Sequence, residues 1–230
     1  MWFPAIERLG LAPVLGLFAQ WLNSFHVYTF ALVSGYLFAY LKYEQGKYES
    51  FALFTRNKAK RLLVPYAFVS IIWAIPIGQY FYHYDIWEIA TRYALATSPS
   101  QLWFLMMLFW CFIGAWLLSK KIENSDVLAF VIAIGCFIVG FVGGFCIPNY
   151  FCIWTAFQYF PFFILGMKLR QGTWSLFERI PIWVYVVCDA GLFSIWVVLQ
   201  GNGNSVIKLI GIGIGFMLHV AGAVMAWSIL

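Results

Sequence analysis

Long apolar runs separated by short polar stretches dominate the chain, and their length sets the first expectation. Residues 25–41, 64–82, 102–118, 127–147, 151–167, 182–199 and 206–227 are each close to, or beyond, the length needed to cross a bilayer as a helix, roughly 18–20 residues. The pattern predicts an all-α polytopic transmembrane helix bundle of about seven spans. A shorter run, 9–22, is interrupted by Pro13 and Gly16 and reads as an N-terminal re-entrant or interfacial segment. Between the second and third spans, Asp85, Glu88 and Arg92 fall at helical spacing. They predict an amphipathic surface helix with a Glu88–Arg92 i,i+4 pair, ended by Ser98-Pro99. Pro65 is expected in the first turn of the second span, where a missing N–H costs little. Pro148-Asn149 and the stretch Gly201-Asn202-Gly203-Asn204 read as turns.

Composition agrees with this reading. The chain of 230 residues is 63% hydrophobic and 10% charged, with a mean hydropathy of +0.84. A soluble domain carries about 25% charged residues, so this chain has too little polar surface to cover a water-soluble globule. No soluble domain, repeat or low-complexity tract stands out, and residues 1–230 read as one integral-membrane domain. The net charge of +5 comes from bases between apolar runs. Segment 42–62 holds Lys42, Lys47, Arg56, Lys58, Lys60 and Arg61 against Glu44 and Glu49. Lys120-Lys121 and Lys168, Arg170 and Arg179 mark two further inner ends. The external segments after the first span carry only Arg92 and Lys208. By the positive-inside rule, 42–62 and the C-terminus are cytosolic and the protein sits in a cytoplasmic membrane. No basic groove interleaved with aromatics points to nucleic acid. The start lacks the basic region of a signal peptide, and Glu7 weakens that reading further.

Ionisable groups inside a bilayer are costly and mark functional candidates. His26 lies near the external end of its span and could take a proton from a hydroxyl at neutral pH, or be an interfacial histidine bonded to backbone or headgroup. Asp189 could orient a base or bind a substrate hydroxyl, or serve as a buried polar link between helices. His219, deeper in the last span, reads as a helix-to-helix hydrogen-bonding group. The run RNKAKR (Arg56, Lys58, Lys60, Arg61) fixes orientation and attracts anionic headgroups; the same cations could hold phosphates of a cytosolic co-substrate. Cys111, Cys136, Cys146, Cys152 and Cys188 show no CxxC spacing, so no metal site is expected. Buried free thiols fit better than a Cys146–Cys152 disulfide. The Gly140/Gly144 and Gly211/Gly215 spacings predict close helix approach.

Four segments then resemble one family, in its expected order. FHVYTFALVSGYLF is similar to the second-helix signature of the membrane-bound acyltransferase family 3, and FALFTRNKAKRLLVPY to its next signature. LWFLMMLFW and QYFPFFILGMKLR resemble two further family segments. The resemblance implies an integral-membrane enzyme that moves an acyl group, often acetyl from acetyl-CoA, to a hydroxyl of a cell-surface or exported carbohydrate. By position it makes His26 the second-helix histidine and Lys58 and Arg61 the CoA-phosphate ligands, with Arg56 and Lys60 beside them. Family members begin with an earlier helix holding an Arg and a His and end with further helices. The chain is therefore expected to be truncated at both ends, with His26 as its local base. A transporter or flippase segment for a lipid-linked glycan, with Asp189 and His219 lining a pathway, and a noncatalytic assembly subunit are the alternative classes.

Overall fold

In hydrocarbon a backbone N–H or C=O without a partner costs several kcal/mol, so each apolar run closes its bonds internally as a helix. A computed structural model describes residues 12–97, 99–172, 180–200 and 205–229. In chain order the described α-helices are α1 (Ala12–Ala39), α2 (Phe51–Val69), α3 (Ile75–Tyr82), α4 (Ile86–Ile89), α5 (Trp103–Asn124), α6 (Asp126–Cys146), α7 (Ile153–Arg170), α8 (Ile182–Gln200) and α9 (Ser205–Ile229). No strand occurs among the described residues. Among the described residues, seven helical stretches are long and apolar enough to span a membrane, in the order the sequence predicts.

Several expectations are corrected. The run 9–22, where described, is not a separate segment. It continues without a break through His26 to Ala39 and then through a π turn, Tyr40–Glu44, so His26 sits in mid-helix. Pro13 falls at the second residue of α1, where it interrupts nothing.

The basic run is likewise not in a loop. It lies on α2, which begins at Phe51 behind an extended Ser50. Pro65 is therefore interior, fifteen residues along, and cannot donate to the carbonyl of Arg61. Five residues later the helix widens into a π turn, Ser70–Ala74, before α3 continues to Tyr82.

The expected surface helix exists, short, as α4. Asp85 and Glu88 form a reciprocal capping box there, Glu88 N–H donating to Asp85 Oδ1 at 2.6 Å. The Glu88–Arg92 pair does not form. Residues Ala90–Ala94 are a π turn, which shifts Arg92 out of the i,i+4 register, and the Glu88 carboxylate accepts from the Asp85 N–H instead. Ser98, Arg179 and Gly201-Asn202-Gly203-Asn204 lie outside the described residues.

The chain forms two units, Met1–Phe30 with Ser175–Leu230, and Ala31–Trp174. In the second, α1 and α7 approach through a reciprocal pair of glycines. A Cβ on Gly35 would strike the Phe163 carbonyl, and one on Gly166 the Leu32 carbonyl. Only glycine permits that spacing. Around it Phe38, Phe54, Phe112 and Phe163 form a ring cluster with centroids 5.1–6.4 Å apart.

α6 packs on α7 with Gly140 against the Trp154 carbonyl. Its partner in that contact is Gly143, against the Trp154 ring, rather than Gly144. In the first unit Gly215 faces the Trp196 indole, and Gly211 the Leu199 side chain, as the small-residue spacing predicts. All described cysteines are free; Cys152 is buried with its thiol on the Ala96 carbonyl, 3.2 Å away.

Candidate functional site

The second unit holds a cationic pocket of about 540 Å³ where the loop after α1 folds back on α2. Lys47, Tyr48, Glu49, Asn57, Lys58 and Arg61 contribute its polar lining. The loop can turn so tightly because Gly46 takes φ +61°, and Tyr48 follows it at φ 76°, a left-handed position that costs a non-glycine residue strain. Tyr48 is held there by stacking on Phe38, edge contact with Phe54, and acceptance of the Trp116 indole N–H by its carbonyl at 3.0 Å. Burial keeps its phenol protonated, above the ordinary range, against the opposing pull of the Arg61 charge.

The four sequence-predicted cations divide into two pairs. One turn of α2 takes about 3.6 residues, which puts Lys58 and Arg61 on the pocket side and Arg56 and Lys60 on another. That second pair borders a shallow apolar groove with Leu63, Val64 and Phe68. Lys58 is further committed to an aromatic cage: its ammonium lies 3.5 Å from the Phe112 centroid, 5.3 Å from Tyr48 and 5.7 Å from Phe54. Cation–π attraction of this kind is worth about 0.5–2 kcal/mol and fixes the charge in place. Arg61 is exposed, so its guanidinium is the donor best able to meet an incoming anion. Lys47 was not singled out by sequence reasoning. Only the backbone reversal at Gly46 brings it to the same pocket.

Beside the pocket, the ends of α1, α5 and α7 are tied by charges. Arg170 grips the Glu44 carboxylate with two nitrogens and donates to the Tyr36 hydroxyl at 2.8 Å. Lys42 donates to the Ser119 hydroxyl at 2.5 Å. Lys168 is fully buried, 2.8 Å from Asp126. These bridges hold the framework from which the pocket loop departs.

The first unit carries the other two candidates, and it does not bring them together. His26 is exposed, its Nδ1 at 3.1 Å from the Leu22 carbonyl. A carbonyl only accepts, so Nδ1 is the donor, and in the neutral ring Nε2 carries the lone pair. Asp189, on α8, is fully buried and meets α1 at Trp21, on a different face from His26. Trp21 donates its indole N–H to Oδ2 at 2.5 Å, while Oδ1, close to Gly222, has no hydrogen-bond partner among the described residues. The polar-link role weighed for Asp189 is thus present through Trp21, a donor that no sequence signal marked. His219 stacks on Tyr28 with centroids 4.1 Å apart, and its buried Nδ1 has no hydrogen-bond partner among the described residues. Its interhelical contacts are that ring stack and a hydrogen bond to the Ser24 backbone on α1, the helix-to-helix role the sequence predicts.

No curated protein and no solved structure matches the chain. A family comparison does: the sequence model of the acyltransferase 3 family, described as an acyltransferase domain, matches residues 7–229. A match over nearly the whole chain, on a membrane-spanning helical protein whose basic signature folds into a cationic pocket, leads to one assignment. The chain belongs to the acyltransferase 3 family of membrane-bound acyltransferases.

Proposed function

We propose that the chain transfers an acyl group, acetyl in the simplest case, from acyl-CoA to a hydroxyl of a cell-surface or exported carbohydrate. Family membership supports acyl transfer, and the cationic pocket is the observation that carries the choice of donor. CoA presents a 3′-phosphate and a diphosphate. Arg61 and Lys47 supply exposed donors for them, and Lys58 a charge caged behind, against a single carboxylate, Glu49. Arg56 and Lys60 face away and act on anionic headgroups instead. The basic ends are cytosolic in this reading, which places the protein in a cytoplasmic membrane with 42–62 and the C-terminus inside.

The chemistry assigned to His26 is that of a general base. The acceptor oxygen attacks the thioester carbonyl as Nε2 takes the hydroxyl proton; the C–S bond breaks, and the CoA thiolate leaves and recovers a proton. Asp189 supports the helix that bears the base through Trp21 and α1. Its complete burial argues against the transporter reading, in which it would line a water-filled path.

The test uses proteoliposomes with radiolabelled acetyl-CoA and isolated surface glycan. Label should move to the glycan as an alkali-labile ester, and His26→Gln should lower the rate by about a hundredfold or more. No transfer by a protein shown to be folded removes the enzymatic reading. Separately, a cysteine at Asn57 should resist an impermeant thiol reagent applied from outside; ready labelling there would reverse the orientation.

A further inference from the structure

A second pocket lies in the same unit at the opposite end of the α2–α3 rod. Seventeen residues separate Arg61 from Gly78, roughly 25 Å of helical rise. The cavity, about 430 Å³, is bordered by Trp73, Tyr84, Arg92, Tyr93 and Gln101. That volume falls within the range of about 300–1,000 Å³ typical of small-molecule sites.

The cavity is constructed by departures from regular helix. Two π turns, Ser70–Ala74 and Ala90–Ala94, supply Trp73, Arg92 and Tyr93, and π turns inside helices often mark functional positions. Gly78 lets the Tyr84 ring lie where a Cβ would come within 2.8 Å of it. His83 turns the chain at φ 52° to bring Tyr84 round. The Tyr66 hydroxyl donates to the Tyr93 carbonyl at 2.6 Å, and the Tyr93 hydroxyl reaches the Ala74 carbonyl at 3.4 Å, closing the floor.

The lining combines flat apolar faces with planar polar groups. Trp73 is 66% exposed. Arg92 stacks over Tyr84, its guanidinium carbon 4.3 Å from the centroid. A stacked guanidinium keeps its N–H donors around its edge, matched to a carboxylate. Gln101 adds an amide that both donates and accepts. Arg92 is the charged residue among the described lining, because Glu88 is held by the Asp85 cap.

We propose that this pocket binds an acidic pyranose, a hexuronate unit of the acceptor. The C–H face of the sugar packs on Trp73, the carboxylate is taken by Arg92, and ring hydroxyls are met by Gln101. The assignment deepens the proposed function and rests on its reading of the acceptor as a carbohydrate. It separates the two substrates to opposite ends of one rod, phosphates at Arg61 and sugar at Trp73.

Saturation-transfer NMR on the detergent-solubilised full chain tests it, with methyl β-glucuronide and methyl β-glucoside as probes and no acyl donor present. Ring-proton saturation should be stronger for the glucuronide. Trp73→Ala, which removes an exposed side chain, should weaken binding about tenfold, the scale of one lost stacking contact. Arg92→Gln should bring the glucuronide-to-glucoside preference to near one. Trp183→Ala, an equally exposed indole on α8, should change neither. Equal saturation of the two sugars, none at all with folded protein, or a response untouched by both pocket variants overturns the proposal. Saturation of short-chain phosphatidylglycerol in place of the glucuronide would make the cavity a headgroup site, and overturns it too. Because no donor is used, sugar binding without acyl transfer leaves this site standing while refuting the enzyme. Acyl transfer without sugar binding does the reverse.

Discussion

Removing either member of the Lys168–Asp126 pair should have very unequal consequences. The Lys168 side chain is fully buried, whereas Asp126 is 47% exposed at the start of α6, and the two lie 2.8 Å apart. Asp126→Asn removes the described counter-charge of a buried ammonium whose described carbonyl contact, Glu123, is at a long 3.4 Å. Breaking a buried pair in this way costs about 3–5 kcal/mol; half-exposure of the acid places the expectation near the low end, about 3 kcal/mol. That figure includes about 0.3–1 kcal/mol for the lost charge at a helix N-terminus. Lys168→Met keeps the stem's packing and leaves only a carboxylate that can turn to water, so it should cost less than about 1 kcal/mol. The double variant should resemble Lys168→Met plus the N-terminal term, giving a coupling of about 2 kcal/mol between the sites. Unfolding of the detergent-solubilised chain by SDS, followed through tryptophan fluorescence, measures all four corners of the cycle. Asp126→Asn no more damaging than Lys168→Met would refute the argument from asymmetric burial.

Three further outcomes follow from contacts described above. Gly166→Val drives a side chain into the Leu32 carbonyl and Tyr36 amide of α1; it should destabilise the same unfolding transition by about 3 kcal/mol or more, and a midpoint within error of the parent contradicts the close approach. Trp21→Phe leaves the buried Asp189 carboxyl without its described donor and should cost about 1–3 kcal/mol. Adding Asp189→Leu should recover much of that loss, and no recovery would locate the cost elsewhere. In acyl-transfer kinetics Arg61→Gln should raise the donor KM about tenfold with little change in kcat, the loss of one charge-assisted contact made equally in ground and transition states. A fall in kcat at unchanged KM would take Arg61 out of donor binding.

The spans were legible because hydropathy reports what the bilayer demands of every backbone group, and seven apolar stretches appear where they were read. Pocket chemistry was less legible, because it depends on the phase of a helix that composition does not show. The RNKAKR run looked like one cationic patch. Its 3.6-residue period splits it, sending Lys58 and Arg61 to a pocket and Arg56 and Lys60 to another face. Lys47 joined the pocket only through a reversal at Gly46, and Arg92 left its expected partner because five residues wind as a π turn. Asp189 was visible as an acid in an apolar run, but Trp21, its donor 168 positions away, was one indole among twelve.

The same helix explains why the basic segment was misplaced and why that matters. The continuous helical stretch Phe51–Phe81 has 31 residues, about 46 Å at 1.5 Å per residue, against a hydrocarbon core of about 30 Å. About 16 Å must therefore extend beyond hydrocarbon, and tilt alone does not absorb it. Arg56 to Arg61 occupy the end that can emerge, so hydropathy stops near residue 62 while the helix does not. A rigid overhang holds a guanidinium at a fixed depth and angle, which a flexible loop does not. Pro65 and the π turn at Ser70–Ala74 lie between the emerged end and the buried one. They weaken the hydrogen-bond ladder where the rod enters the membrane and where Trp73 must turn toward its cavity. A Pro65→Ala substitution restores one ladder bond to the Arg61 carbonyl. It should stabilise the helix and alter the donor KM in acyl-transfer kinetics, because the Arg61 peptide sits at the break in the ladder; an unchanged KM would refute that coupling.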